Sequence, residues 1–180
     1  MSRVNIDTVG APAASQELLG QIHKAFGATP NMFKAVANSP AALQSMWGSF
    51  AALGRGTLGV KLGEQIAVAI ANRNRCEYCL SAHTVLGKGA GATADEMAAA
   101  QLGHSADPKT TAALVFALKV VAERAQVSAQ DVAALRAAGF TDGQVVEILA
   151  HVALNLFTNY VNVALDVPVD FPKVPLKSVA

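Results

Sequence analysis

Four side chains between residues 64 and 83 have types and spacings suited to chemistry: Glu64-x11-Cys76-x2-Cys79-x3-His83. Cys76 and Cys79 are the only cysteines in 180 residues. On a helix, Cys76, Cys79 and His83 fall at i, i+3 and i+7, one stripe along one face. That spacing sets one thiol a turn from a second thiol, and the second a turn from an imidazole. Two cysteines so placed close a small disulfide loop once one of them is oxidised. Glu64 lies one helix earlier, at the head of the apolar run Ile66 to Ala71. Two roles suit it: a partner that orients His83 and fixes its tautomer, or a first-turn acid favoured by the helix dipole. Together these residues are the inventory of a thiol redox site.

The residues alone leave open which sulfur attacks. Cys76 is expected in the first turn of a new helix, beside Arg73 and Arg75, and both features favour a thiolate. Cys79 has His83 four residues on, placed to take its proton and later to return one to a leaving oxygen. Zinc competes for the same side chains. A structural zinc needs four ligands, and two thiols, one close histidine and an unusual Glu64 make a poor set, so no metal is assigned. Tyr78 points off the cysteine stripe and is expected to pack.

The composition narrows the setting. The chain is 52% hydrophobic and 15% charged, with a net charge of +1. No basic stripe points to nucleic acid or to an anionic membrane. The first fifteen residues lack the apolar core of a signal peptide. The most membrane-like stretch, residues 145–165, carries Glu147, His151, Asn155, Asn159 and Asn162, which argues against a lipid-exposed span. A cytoplasmic location is expected, where a close cysteine pair serves redox chemistry better than it serves as a staple.

The elements that must position these residues read as helices throughout. Residues 1–14 read as an N-terminal arm, 15–167 as one all-helical domain, and 168–180 as a proline-containing tail that wraps the surface or a neighbouring subunit. Thr29-Pro30, Ser39-Pro40 and Asp107-Pro108 pair a capping side chain with a first helical proline. Asn74-x-x-Glu77, Thr93-x-x-Glu96, Ser128-x-x-Asp131 and Thr141-x-x-Gln144 resemble capping boxes. No run shows sustained strand alternation, so the expected fold is all-α, a single-domain helical bundle of about eight helices. Met46, Trp47 and Phe50 are expected in the core. On the last long helix, Glu147, His151, Asn155, Asn159 and Asn162 form a polar stripe. The favoured reading is a hydrogen-bonded structural or interface seam, with His151 as an accessory candidate for the dithiol. His23 and His104 read as surface residues.

The four-residue pattern, set between two helices, resembles that of the alkylhydroperoxidase D-like branch of the carboxymuconolactone decarboxylase superfamily. Residues 30–43 and 151–162 also look like stretches of its peroxidase-related members. The resemblance implies an alkylhydroperoxidase D-like fold that assembles as a homo-oligomer, a trimer or hexamer. It further implies a peroxidase that reduces hydroperoxides without a cofactor. In that scheme Cys79 is peroxidatic, Cys76 resolving, His83 the base and Glu64 its proton-relay partner. An external dithiol or thioredoxin-like donor restores the reduced form. The lactone-decarboxylase branch lacks the dithiol. Two other classes compete: a redox-sensing or scaffold protein whose disulfide alters assembly without turnover, and a zinc-stabilised binding module.

Overall fold

Helix α4 (Val60–Arg73) is the axis of the molecule, because its sequence has almost no polar face to give to water. Residues 65–72 are all buried, and the helix packs against α5 (Glu77–Gly89), α6 (Ala94–Ala100), α7 (Pro108–Ala122) and α9 (Asp142–Ala164). A helix apolar all round must be enclosed by others. Around this group stand α1 (Ala13–Phe26), α2 (Asn31–Val36), α3 (Pro40–Leu53) and α8 (Ala129–Ala137). The computed structural model describes residues 2–178, and among these there are nine helices and no strand. The all-α expectation holds.

Local sequence sets most of the helix starts. Ser39 accepts from the Ala42 N–H, Asp107 accepts from those of Lys109 and Thr110, and proline follows each as the first helical residue. Thr93, Ser128 and Thr141 form reciprocal capping boxes with Glu96, Asp131 and Gln144.

Two expected starts are displaced. Helix α2 begins at Asn31, and its first free N–H groups are met from far along the chain. Asp170 Oδ2 accepts from Asn31 N at 2.8 Å, and Tyr78 Oη accepts from Met32 N at 3.1 Å. The second displacement concerns Asn74. It ends α4 instead of opening α5, and its amide donates to Asn159 Oδ1 at 3.0 Å. Arg75 then turns through the left-handed region at φ 59°, and Cys76 becomes the N-cap of α5. The two helices are therefore joined by a sharp corner of three residues, Asn74, Arg75 and Cys76.

Both termini of the described chain bind its own body. The Arg3 N–H donates to the Leu165 carbonyl at the end of α9. After Val167 the tail crosses α5, α4 and α6 in turn. Ser81 Oγ accepts from Val174 N, Asn72 Oδ1 from Lys177 N, and the Lys177 ammonium donates to the Ala98 carbonyl. No helix among the described residues is long and apolar enough to cross a membrane.

Candidate active site

The α4–α5 corner brings the four residues of the motif together. Cys76 caps α5, and its Sγ accepts the Cys79 N–H at 3.3 Å. Cys79 and His83 follow on the buried face of α5, and Glu64 comes from the first part of α4. Glu64 Oε2 lies 2.7 Å from His83 Nδ1. A carboxylate accepts there, so Nδ1 carries the proton and Nε2 is left to exchange one. Both cysteines are free thiols and are buried, Cys76 at 1% exposure and Cys79 at 2%.

Electrostatics separate the two sulfurs. Burial pushes the Cys79 thiol up, but other groups outweigh it: the S–H of Cys76 donated to it, the charge of His83, and the amides of Asn162 and Asn159. They bring it down to about 7. The Asn162 contact is direct, its Nδ2 donating to Cys79 Sγ at 3.1 Å. Cys76 moves the other way, pushed up by its hydrogen bond to Cys79 and then by burial. Its sequence neighbours do not rescue it, since Arg73 and Arg75 are exposed. The helix-end N–H groups of Tyr78 and Cys79 do favour a thiolate at Cys76, as expected, but they are outweighed because the capping sulfur serves as donor to Cys79. Burial works against the charged imidazole of His83, yet the charge and hydrogen bond of Glu64, aided by Cys79, raise it above the usual histidine range.

The polar stripe on α9 divides among several tasks. Glu147 accepts from the N–H groups of Thr57 and Leu58 and from the Thr57 hydroxyl, bracing the α3–α4 loop. His151 sits against Gly63, where a Cβ would come within 2.9 Å of its ring. With Glu64 and His83 it lines a small cavity of about 100 Å³. Burial pushes its pKa down, and the charge of His83 adds to this against the pull of Glu64 and Glu147. Asn155 donates to the His151 carbonyl, Asn159 accepts from Asn74, and Asn162 reaches Cys79. Asn155, Asn159 and Asn162 are all buried by this one subunit. The seam therefore belongs to the subunit's interior and not to a shared surface.

A cavity of about 360 Å³ opens on Cys79, His83 and Glu64. Phe26, Phe33, Trp47, Phe50, Tyr78 and Phe171 wall it. The rings support one another, Phe33 meeting Trp47 edge-on at 5.8 Å and Tyr78 meeting Phe171 at 5.7 Å. Of the trio expected in the core, only Met46 is fully buried, while Trp47 and Phe50 are half-buried and line this cavity. Tyr78 packs as expected and also joins the wall. The sequence reading missed Asn162 as a partner of Cys79. The one available signal was an asparagine where a solvated helix face would carry a charge. His23 and His104 are exposed, as expected. Among the described residues, no three His, Cys, Asp or Glu side chains meet in a metal-binding arrangement.

Comparison with known proteins bears on this arrangement. The carboxymuconolactone decarboxylase family model matches residues 39–123, from the cap of α3 to the end of α7. No curated protein is significantly similar in sequence. Among solved structures, the alkylhydroperoxidase D core protein of Ralstonia eutropha JMP134, described as an uncharacterised peroxidase-related protein, is 27% identical. The match has a TM-score of 0.83 and covers 94% of this chain and 92% of that one. A peroxidase-related protein from Silicibacter sp. TM1040 is 23% identical, with a TM-score of 0.82 over 93% and 91% of the two chains. The debrominase Bmp8, solved as a cysteine-to-alanine variant with 2,3,4-tribromopyrrole, shares the fold at 19% identity and a TM-score of 0.75, over 93% and 94%. Residues 39–123 thus match the carboxymuconolactone decarboxylase family model, and the chain as a whole has the fold of these alkylhydroperoxidase D-like, peroxidase-related proteins.

Proposed function

We propose that the protein is a thiol peroxidase that reduces hydroperoxides at Cys79 and is recycled by an external dithiol or thioredoxin-like donor. One observation carries the reading: the sulfur that opens on the apolar cavity is also the one whose thiolate is stabilised. The match of residues 39–123 to the family model and the likeness to the peroxidase-related protein of Ralstonia eutropha support it.

The cycle follows from the contacts. Cys79 passes its proton to His83, and the thiolate attacks the terminal peroxide oxygen. The O–O bond breaks as the S–O bond forms, and His83 gives its proton to the departing alkoxide, leaving a sulfenic acid and an alcohol. Glu64 holds Nδ1–H throughout and stabilises the imidazolium between the two transfers. The Cys76 thiol then attacks the Cys79 sulfur, releasing water and closing the disulfide. Two electrons from the donor reopen it.

The test is steady-state hydroperoxide consumption across a panel of dithiol donors. Multiple turnovers that vanish in Cys79→Ser support the reading. A single stoichiometric oxidation with every donor would instead favour the redox-sensing or scaffold role.

A further inference from the structure

Cys76 and Cys79 open on different cavities. Cys79 lines the aromatic one, whereas Cys76 lines a separate cleft of about 350 Å³ at the α5 N-terminus, with Tyr78 bordering both. Arg75, Glu77, Asp166 and Lys173 line that cleft beside Cys76 and Asn162. Asn162 is 3% exposed, and its Oδ1 has no hydrogen-bond partner although its Nδ2 holds Cys79. A buried acceptor left open at a cleft is a place for a donor carried by an incoming molecule.

We propose that this polar cleft is the binding site of the thiol reductant, which attacks the disulfide at the Cys76 sulfur while peroxide uses the separate aromatic cavity. The inference rests on the reading of the pair as a dithiol centre that turns over. Three considerations converge on it. A thiolate is an anion, and an aromatic cavity disfavours its entry, whereas a polar cleft, where Arg75 and Lys173 balance Glu77 and Asp166, keeps it hydrated. Attack on Cys76 expels the Cys79 thiolate, which Asn162 and His83 already stabilise, and the better-stabilised sulfur leaves faster. The open Oδ1 of Asn162 accepts from the donor's second S–H while the first sulfur reacts.

The exchange balances. The donor thiolate bonds to Cys76 as the Cys76–Cys79 bond breaks and its electron pair goes to Cys79. The donor's second thiol, losing its proton, then attacks the donor sulfur held on Cys76. This expels the Cys76 thiolate, which takes up a proton, and the donor leaves as a disulfide.

The test needs no peroxide, so it can fail or succeed separately from the peroxidase reading. The full-length protein is oxidised with diamide, mixed briefly with mercaptoethanesulfonate, quenched in acid and alkylated, and the mixed disulfide is mapped by mass spectrometry. The expected adduct is on Cys76, with Cys79 alkylated. An adduct on Cys79 overturns the proposal, as does a protein in which diamide forms no Cys76–Cys79 bond. A second measurement compares anionic mercaptoethanesulfonate with cationic cysteamine as reductants of the Lys173→Glu variant, Lys173 being exposed. Reversing one charge near the path should lower the anion-to-cation rate ratio about three- to ten-fold at low ionic strength. An unchanged ratio places the entry elsewhere and overturns the proposal.

Discussion

Replacing Asn162 with leucine isolates the contact that sets the reactivity of Cys79. The side chains share the same branched outline of four heavy atoms, and Asn162 Oδ1 has no protein partner to lose. The variant therefore removes one interaction, the 3.1 Å hydrogen bond from Nδ2 to Cys79 Sγ. A hydrogen bond to a charged group contributes about 1.5–3 kcal/mol, and one pKa unit corresponds to about 1.4 kcal/mol, so the Cys79 inflection should rise by about one to two units. It starts at about 7. At neutral pH the thiolate fraction then falls from about one half to between about one tenth and one hundredth. A more basic thiolate is also the better nucleophile, by roughly threefold per unit, so the net loss of rate at pH 7 is only about two- to six-fold. Above about pH 8 the variant should overtake the wild type, because the wild type is then largely ionised and gains no more, while the variant sulfur keeps ionising and is the stronger nucleophile. Thiolate ultraviolet absorbance against pH gives the inflection, and stopped-flow alkylation by iodoacetamide gives the rate. An inflection that does not move, or pH profiles that never cross, would refute the assignment of Asn162 as the donor that holds the thiolate.

Further outcomes follow from the same contacts. His83→Ala should slow hydroperoxide reduction by about 10²–10⁴-fold and shift its rising pH limb upward, since the cation that favours the thiolate is gone; Glu64→Gln should act in the same direction but less severely. An unchanged pH–rate profile for Glu64→Gln would reduce Glu64 to a helix-end charge. Tyr78→Phe leaves the Met32 N–H without its acceptor and should cost about 1–3 kcal/mol, read as a lower denaturant midpoint at constant slope. The face of α9 turned from the core exposes Val146 at 64% and Tyr160 at 61%, surface that a second subunit would cover. Light scattering should show a homo-oligomer, a trimer or hexamer, and a monomer at micromolar concentration would contradict this.

The parts of the structure legible in the sequence were those decided by neighbouring residues. Ser39, Thr93, Asp107, Ser128 and Thr141 cap their helices with side chains that reach only two or three positions along the chain. The pairing of Glu64 with His83 was legible too, because the apolar run after Glu64 had to be enclosed and a motif on the next helix lay within reach. What failed depended on distant residues. Asn74 carries a capping signature, but the amide is spent on Asn159, which lies 85 positions away, and the helix start passed to Cys76. Trp47 and Phe50 have the composition of core residues, and only the packing of α3 against α1, α2 and α9, which leaves a cavity between it and α5, turns them into a cavity wall. The roles of the α9 asparagines were hidden for the same reason. A polar stripe on an apolar helix signals that partners exist, but not that one of them is a sulfur.

The central claim, that Cys79 attacks and Cys76 resolves, is tested most directly by intact-mass measurement after one equivalent of hydroperoxide. The wild type should lose about 2 Da as the disulfide closes, and Cys76→Ser should gain about 16 Da as a sulfenic acid that dimedone traps on Cys79. Cys79→Ser should keep its mass. A dimedone adduct on Cys76 in Cys79→Ser, with peroxide consumed at the wild-type rate, would contradict the account and reverse the two roles.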